Sequence, residues 1–220
     1  MCRAWMSWSS GKDSALALDA VRRDPSIEVT GLLVTMNAEA DRVAMHAVRR
    51  EIVEAQADAL GLPLHPVWLP WPCPNEVYEQ QLSAAIEAAL ADGVDTMVFG
   101  DLFLTDIRAY RETQLDGTGI TPVFPLWEQP TEALAHHMID VGIDAILTCV
   151  DLAKLPASFA GRRFGRQLLD ELPDGVDPCG ENGEFHTVVL NAPGYRNPII
   201  AHTGTTVERD GFAFCDVIPD

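Results

Sequence analysis

Apolar positions in the first half of the chain follow two alternating rhythms. Short runs dense in apolar residues, Arg3–Trp8, Val29–Thr35, Leu64–Leu69 and Thr96–Gly100, read as buried strands. Between them Ser14–Arg23, Val43–Leu60 and Val77–Ala91 carry apolar residues at helical spacing. In the second of these, Val48, Ile52, Ala55, Ala59 and Leu60 fall together, with Arg49, Arg50, Glu54 and Asp58 largely on the other side. Gly61 offers a left-handed helix end, and Pro63 blocks continuation. This strand–helix order predicts a parallel sheet with helices on both faces. Ligands of such sheets bind beyond the strand C-terminal ends, where the strand order reverses. Ser9–Ser14, Thr35–Asn37 and Gly100-Asp101 each follow a strand and are expected to meet there.

From about Thr121 the rhythm changes. Thr121–Phe124 reads as extended, Thr131–Val141 as a helix with Thr131 as its N-cap after Pro130, and Ala145–Val150 as a strand. A helix at Gly165–Leu172 follows. Glu184–Asn191, Thr203–Arg209 and Gly211–Val217 then read as short strands with turn residues between them. The expectation is an α/β domain over residues 1–120 followed by a smaller α+β domain over 121–220. The Pro/Trp-rich piece Pro66–Pro74 reads as a rigid connector or a cleft wall.

The formal charge of −18, with two lysines (Lys12 and Lys154) against thirteen arginines, bounds the partners. Such a surface argues against nucleic acid and against anionic membranes, which both need a basic footprint. No segment approaches the roughly 20 apolar residues of a membrane span. The first residues lack a basic-then-apolar leader, so the expected compartment is the cytoplasm. The five cysteines are widely spaced without a C-x-x-C, so buried reduced thiols are expected, with Cys179 set apart by its neighbours.

Those neighbours belong to one of three chemically dense segments. Ser9-Ser10-Gly11-Lys12-Asp13-Ser14 lies between a strand and a helix, where backbone N–H groups, serine hydroxyls and an ammonium suit a phosphate. It is not a Walker A loop, because Asp13 follows Lys12 and position 6 is Met. A plain capped helix start, with Ser10 as cap and Asp13 as the acid of its first turn, is the alternative. Asp177–Thr187 (DPCGENGEFHT) packs Gly180, Glu181, Asn182, Gly183, Glu184, His186 and Thr187 into eight residues before a strand. Its acids suit metal binding, amine orientation or base chemistry, and a solvated hairpin turn is the alternative. Gly100-Asp101 with Asp106, Arg108, Arg111 and Glu112 puts a carboxylate at a strand end, while Arg108 and Glu112 also fit a surface helix pair.

Together these segments resemble a known family. Ser9–Ser14 is similar to the S-G-G-x-D-S loop of the PP-loop ATP pyrophosphatases, with Ser10 in place of the second-position glycine. Met45-His46, Gln56–Leu64 (QADALGLPL), Gly100-Asp101, Pro125-Leu126-Trp127 and Asp177–Thr187 resemble the diphthine–ammonia ligase-related group over residues 3 to 200. The resemblance implies a Rossmann-like, adenine-nucleotide-binding (HUP, PP-loop) fold and an AMP-forming ligase using ATP and Mg²⁺. In that reaction an acceptor carboxylate is adenylated, with pyrophosphate leaving, and then amidated by ammonia.

By the same resemblance Ser9, Ser10, Gly11, Lys12, Asp13 and Ser14 bind ATP, with adenine near Val34–Met36 and Met36 among its contacts. Lys12, Asp101, Glu181 and Glu184 are implied as catalytic, and Asp13 and Asp101 as magnesium contacts. His46, Arg108, Glu112, Gly180, Asn182, Gly183, His186 and Thr187 are implied on the substrate side. The implied partners are ATP, ammonia and an acceptor carboxylate, small molecule or protein side chain, and a homodimer is admitted. Two other readings stand beside this one: a non-catalytic adenine-nucleotide sensor, and another AMP-forming PP-loop modifying enzyme.

Overall fold

The computed structural model describes all 220 residues. Strands β1 (Cys2–Ser7), β2 (Ile27–Asn37), β4 (Leu64–Leu69), β5 (Thr96–Val98) and β6 (Thr121–Val123) form a parallel sheet in the order β4-β2-β1-β5-β6. The chain winds outward from β1 to β2 and β4, then returns to β5 on the other side. The order therefore reverses between β1 and β5. Strand alternation sorts the side chains. Ala4, Met6 and Trp8, with Leu32, Val34 and Met36, enter one apolar core, while Trp5 and Leu33 enter another on the opposite face.

Helices α1 (Lys12–Arg22) and α2 (Arg50–Leu60) contribute to the first of these cores, and α3 (Asn75–Ala91) and α4 (Thr105–Leu115) to the second. The second layer is thin. Only Ile86 and Ala89 of α3, and only Leu115 of α4, are fully buried. Cations help to hold α4 in place: Arg108 lies 4.8 Å from the Phe124 ring and 4.7 Å from Trp127, and Arg111 lies 4.7 Å from Phe99. This gives Pro125-Leu126-Trp127 a physical role.

After helix α5 (Thr131–Asp140) the remaining strands, β7 (Asp144–Asp151), β8 (Phe185–Asn191), β9 (Ala201–Arg209) and β10 (Phe212–Pro219), form an antiparallel sheet in the order β8-β7-β10-β9. A short helix α6 (Arg166–Asp170) precedes β8. Val188, Val189 and Leu190 of β8 share the apolar core of α1 and α2, so the two sheets are joined by one hydrophobic interior. The outer edge of β8 is not left bare. Val189 N donates to Ser10 O at 2.9 Å.

Three sequence expectations need correction. The helix expected from Val43 begins only at Arg50, because Arg42–Val43 forms a short strand β3 against Met36 and Asn37. The turn that follows places Met45 at φ 65° and Ala47 at φ 54°, outside the helical region. It is pinned from both ends by Asp216 of β10, which accepts from Arg42 Nη1 at 2.8 Å and Arg49 Nη2 at 2.6 Å. Thr131 is the first residue of its helix rather than its cap, and its hydroxyl donates to Asp177 at 2.6 Å. Pro66–Leu69 belongs to edge strand β4, and no residue of Pro66–Pro74 lines the cavity at the C-terminal ends of β1 and β5.

The Arg49 guanidinium, and after it Arg42, push the Asp216 carboxyl down to about 2 from its ordinary 3.8. A depressed carboxylate stabilises the fold above its unfolded pKa, and this contribution is lost as pH falls through the folded value. Asp216→Asn is expected to lower unfolding free energy by about 1 kcal/mol at neutral pH, as for a partly exposed ion-pair network. It should also flatten the acid loss between roughly pH 4 and 2. Urea unfolding across that pH range checks both.

Candidate active site

A cavity of about 360 Å³ opens where the strand order reverses. Its polar end is lined by Ser9, Lys12, Asp13 and Ser14 after β1, by Gly100, Asp101 and Arg111 after β5, and by His46, Gly180, Glu181, His186 and Thr187. Its apolar wall comes from α3, α4 and the sheet, including Tyr78, Leu82, Ile86, Met97, Phe99 and Leu115.

The loop after β1 exposes backbone donors. Gly11, not Ser10, is the residue before the helix, and no side chain of the loop caps it. Lys12 N donates instead to Thr187 Oγ1 of β8 at 3.1 Å. The N–H groups of Ser10, Asp13 and Ser14 have no protein acceptor. Two glycines keep this surface open. A Cβ on Gly100 would lie 3.0 Å from Ser14 N, and one on Gly11 would lie 3.0 Å from His46 Cε1. The simple capped-helix reading is thus not what the chain builds.

The Lys12 ammonium is buried, held by the Asp13 carboxylate at 2.9 Å and the Cys179 carbonyl, over the Phe164 and Phe185 rings. Burial lowers its pKa, but the acidic groups around it, Asp13 first with Cys179 and Glu181, together hold it above the ordinary value. Lys12 therefore stays charged and ties the loop to the segment before β8. The Cys179 thiol is buried too, and its pKa is raised by burial. An unreactive thiol follows, and the useful atom of Cys179 is its carbonyl oxygen.

The acidic block divides. Gly180 and Glu181 face the cavity, and Glu181 Oε1 accepts from Leu102 N at 2.8 Å. Burial pushes the Glu181 carboxyl up to about 7, and Asp13 and Asp101 add to the rise. Glu184 is almost fully buried away from the cavity. Its Oε1 accepts from Asp177 N and Asn182 Nδ2, both at 3.2 Å, so it holds the turn's shape. Asn182 and Gly183 do not line the cavity either. Spacing could not separate Glu181 from Glu184, because the turn at Gly180 and Gly183, φ 70° and 81°, aims neighbours in different directions.

The two imidazoles sit together, ring centroids 4.6 Å apart. Burial lowers both pKa values, His186 to about 3 with the nearby His46 contributing. Both are neutral at neutral pH. The Thr187 carbonyl, 3.1 Å from His46 Nδ1, can only accept, which assigns that nitrogen its proton.

On α4 the two arginines named by the sequence part company. Arg108 pairs with Glu112 at 2.8 Å, and neither lines the cavity. Arg111 does, with Nε on Asp101 at 2.9 Å and its terminal nitrogens unpaired. Met36 is also displaced from its expected role. It is buried in the core, whereas Leu33 and Thr35, on the opposite face of β2, line the cavity. Asp13 and Asp101 both face the cavity, but no group of three or more His, Cys, Asp or Glu converges to hold a metal. Magnesium commonly uses one or two carboxylates with substrate phosphates, and this donor set fits that mode.

A raised carboxyl pKa destabilises the fold once the group must ionise. Stability is therefore lost as pH rises from about 4.5 to about 7 through Glu181. Glu181→Gln should flatten that part of the stability profile. Glu184→Ala should instead lower stability by about 2 kcal/mol, by leaving Asp177 N without its acceptor. Denaturant titrations at several pH values separate the two.

Comparison with known proteins agrees with the geometry. The model for the diphthamide synthase N-terminal domain matches residues 2–121, and that for the diphthamide synthase C-terminal domain matches 130–214. Diphthine–ammonia ligase of Danio rerio is 29% identical over 95% of this chain and 90% of that protein. The Bos taurus protein of the same name is 25% identical over 81% of this chain and 73% of its own length. That of Rattus norvegicus reaches 33%, over 52% of this chain and 45% of its own. With both family domains matched in order along its length, the chain belongs to the diphthamide synthase (diphthine–ammonia ligase) family.

Proposed function

We propose that this protein is an AMP-forming, ATP-dependent amide ligase that adenylates a carboxylate and transfers it to ammonia. One observation carries the reading: unbonded N–H groups of a helix start and a half-buried, high-pKa carboxyl border the same cavity. A passive nucleotide sensor needs the first and has no use for the second.

ATP phosphates would lie on the N–H groups of Asp13 and Ser14, with the Ser9 and Ser14 hydroxyls beside them. Lys12, held by Asp13 and the Cys179 carbonyl, adds its charge through space. Asp13 and Asp101 would hold magnesium, which when bound screens the phosphate charge. Arg111 keeps its terminal nitrogens for an anionic group, and the apolar wall of Leu82, Ile86, Met97 and Leu115 suits an apolar or aromatic body. The acceptor is thus a carboxylate borne on such a body. Its oxygen attacks the α-phosphorus, the bond to the bridging oxygen breaks, and pyrophosphate leaves. Ammonia then attacks the acyl carbon and AMP departs. Glu181 sits to take the proton that ammonia sheds, and a pKa near 7 matches that task. The neutral His46–His186 pair offers hydrogen bonds without adding positive charge.

Incubation with Mg·ATP, ammonium and a small-molecule cell extract is expected to yield AMP, pyrophosphate and one amidated mass. ADP with phosphate as the main products would overturn the reading. Glu181→Gln should bind ATP within a few-fold of wild type and lose turnover by about 10²-fold or more, the range for a general base. Gly100→Ala should weaken ATP binding by about 1–2 kcal/mol, because the added methyl covers Ser14 N. Calorimetry and product chromatography measure these effects.

A further inference from the structure

Beneath the phosphate loop lies a side chain that the proposed reaction does not use. Gln56 of α2 is fully buried, at 0% exposure. Its Oε1 accepts from Trp8 Nε1 at 2.8 Å, and its Nε2 donates to Val189 O at 2.7 Å and to Ser10 O at 3.2 Å. An indole can only donate and carbonyls can only accept, so one orientation of the amide satisfies all three partners. One side chain thus joins the end of β1, the loop and strand β8.

Ser10 is where that junction matters. It holds φ at 70°, a region disfavoured for any residue with a Cβ. Its own hydroxyl does not compensate, being buried without a partner. What holds the conformation is the Ser10 carbonyl, which takes two hydrogen bonds, from Val189 N at 2.9 Å and from Gln56. Rotation of the Ser10–Gly11 peptide would break both and bring a partly negative oxygen towards the loop's donor side.

We infer that Gln56 is a positioning residue for the phosphate loop: its amide locks the Ser10–Gly11 peptide in the orientation that leaves the loop's N–H groups to an anion. The inference rests on the reading of residues 9–14 as the ATP phosphate site. A glycine at position 10 adopts the same φ without strain, so it should release the loop from its need for Gln56.

The test is a cycle of Gln56→Met, Ser10→Gly and the double variant, followed by Mg·ATP calorimetry and thermal melting. Gln56→Met should weaken ATP binding at least 10-fold and lower the Tm. The double variant should recover most of the affinity while its Tm stays low, since the Trp8 and Val189 bonds remain lost. Gln56→Glu keeps the volume and the Trp8 acceptor but loses the donor, and carries the same expectation should the Met variant not fold. Wild-type affinity in both position-56 variants, or no recovery in the double variant, overturns the inference. Failure of the wild type itself to bind Mg·ATP overturns the phosphate-loop reading on which it rests.

Discussion

The hydrogen bonds between residues 10–12 and strand β8 hold the rest of the site in register. Val189 N meets Ser10 O, and Thr187 Oγ1 receives Lys12 N. A helix start has several unpaired donors, and here one is satisfied from the second sheet while others stay open. The same strand carries Phe185, under the Lys12 ammonium, and His186 at the cavity wall. The loop and the second sheet are therefore parts of one apparatus. With the second sheet removed, Ser10 would keep only the Gln56 bond of the two that hold its carbonyl at positive φ.

Charge in the cavity is managed by pairing. Asp13 answers Lys12 and Asp101 answers Arg111, each at 2.9 Å. Glu181 has a backbone N–H but no cation at hydrogen-bond distance, and burial, with Asp13 and Asp101 nearby, raises its pKa. The two histidines are buried neutral. The one carboxyl left free to exchange a proton near neutrality is thus the one that faces the cavity beside the loop. An acidic chain can still bind an anion there, because the donors are backbone groups and the terminal nitrogens of Arg111, whose Nε is held by Asp101, independent of net surface charge.

The wall formed by α3 and α4 follows a different logic. With few fully buried side chains, these helices are held to the sheet partly by aromatic and cationic contacts, Arg108 on Phe124 and Trp127, and Arg111 on Phe99. Both arginines pack on rings, but only Arg111, one turn on from Arg108, also borders the cavity. Helical spacing puts both on adjacent parts of one surface, and only the position of the Phe124–Trp127 loop tells them apart.

What the sequence determined by itself was local and periodic. Strand and helix rhythms gave the alternating elements and parallel character of the first sheet, because side-chain alternation and helix spacing are properties of a few consecutive residues. The clustering of donors at Ser9–Ser14 and of polar groups at Gly180–Thr187 was legible for the same reason. Tertiary structure decided direction. Met36 points into the core while Thr35 meets the cavity, Glu184 shapes a turn while Glu181 faces the site, and Lys12 reaches sideways to the Cys179 carbonyl. The Val43–Arg49 stretch, helical by spacing, became a strand and a turn because Asp216, 167 residues beyond Arg49, draws in Arg42 and Arg49. Gln56 showed in the sequence only as part of a motif, since its three partners come from β1, the loop and β8. Contacts of that range depend on where distant segments pack, which neighbouring residues in a sequence do not encode.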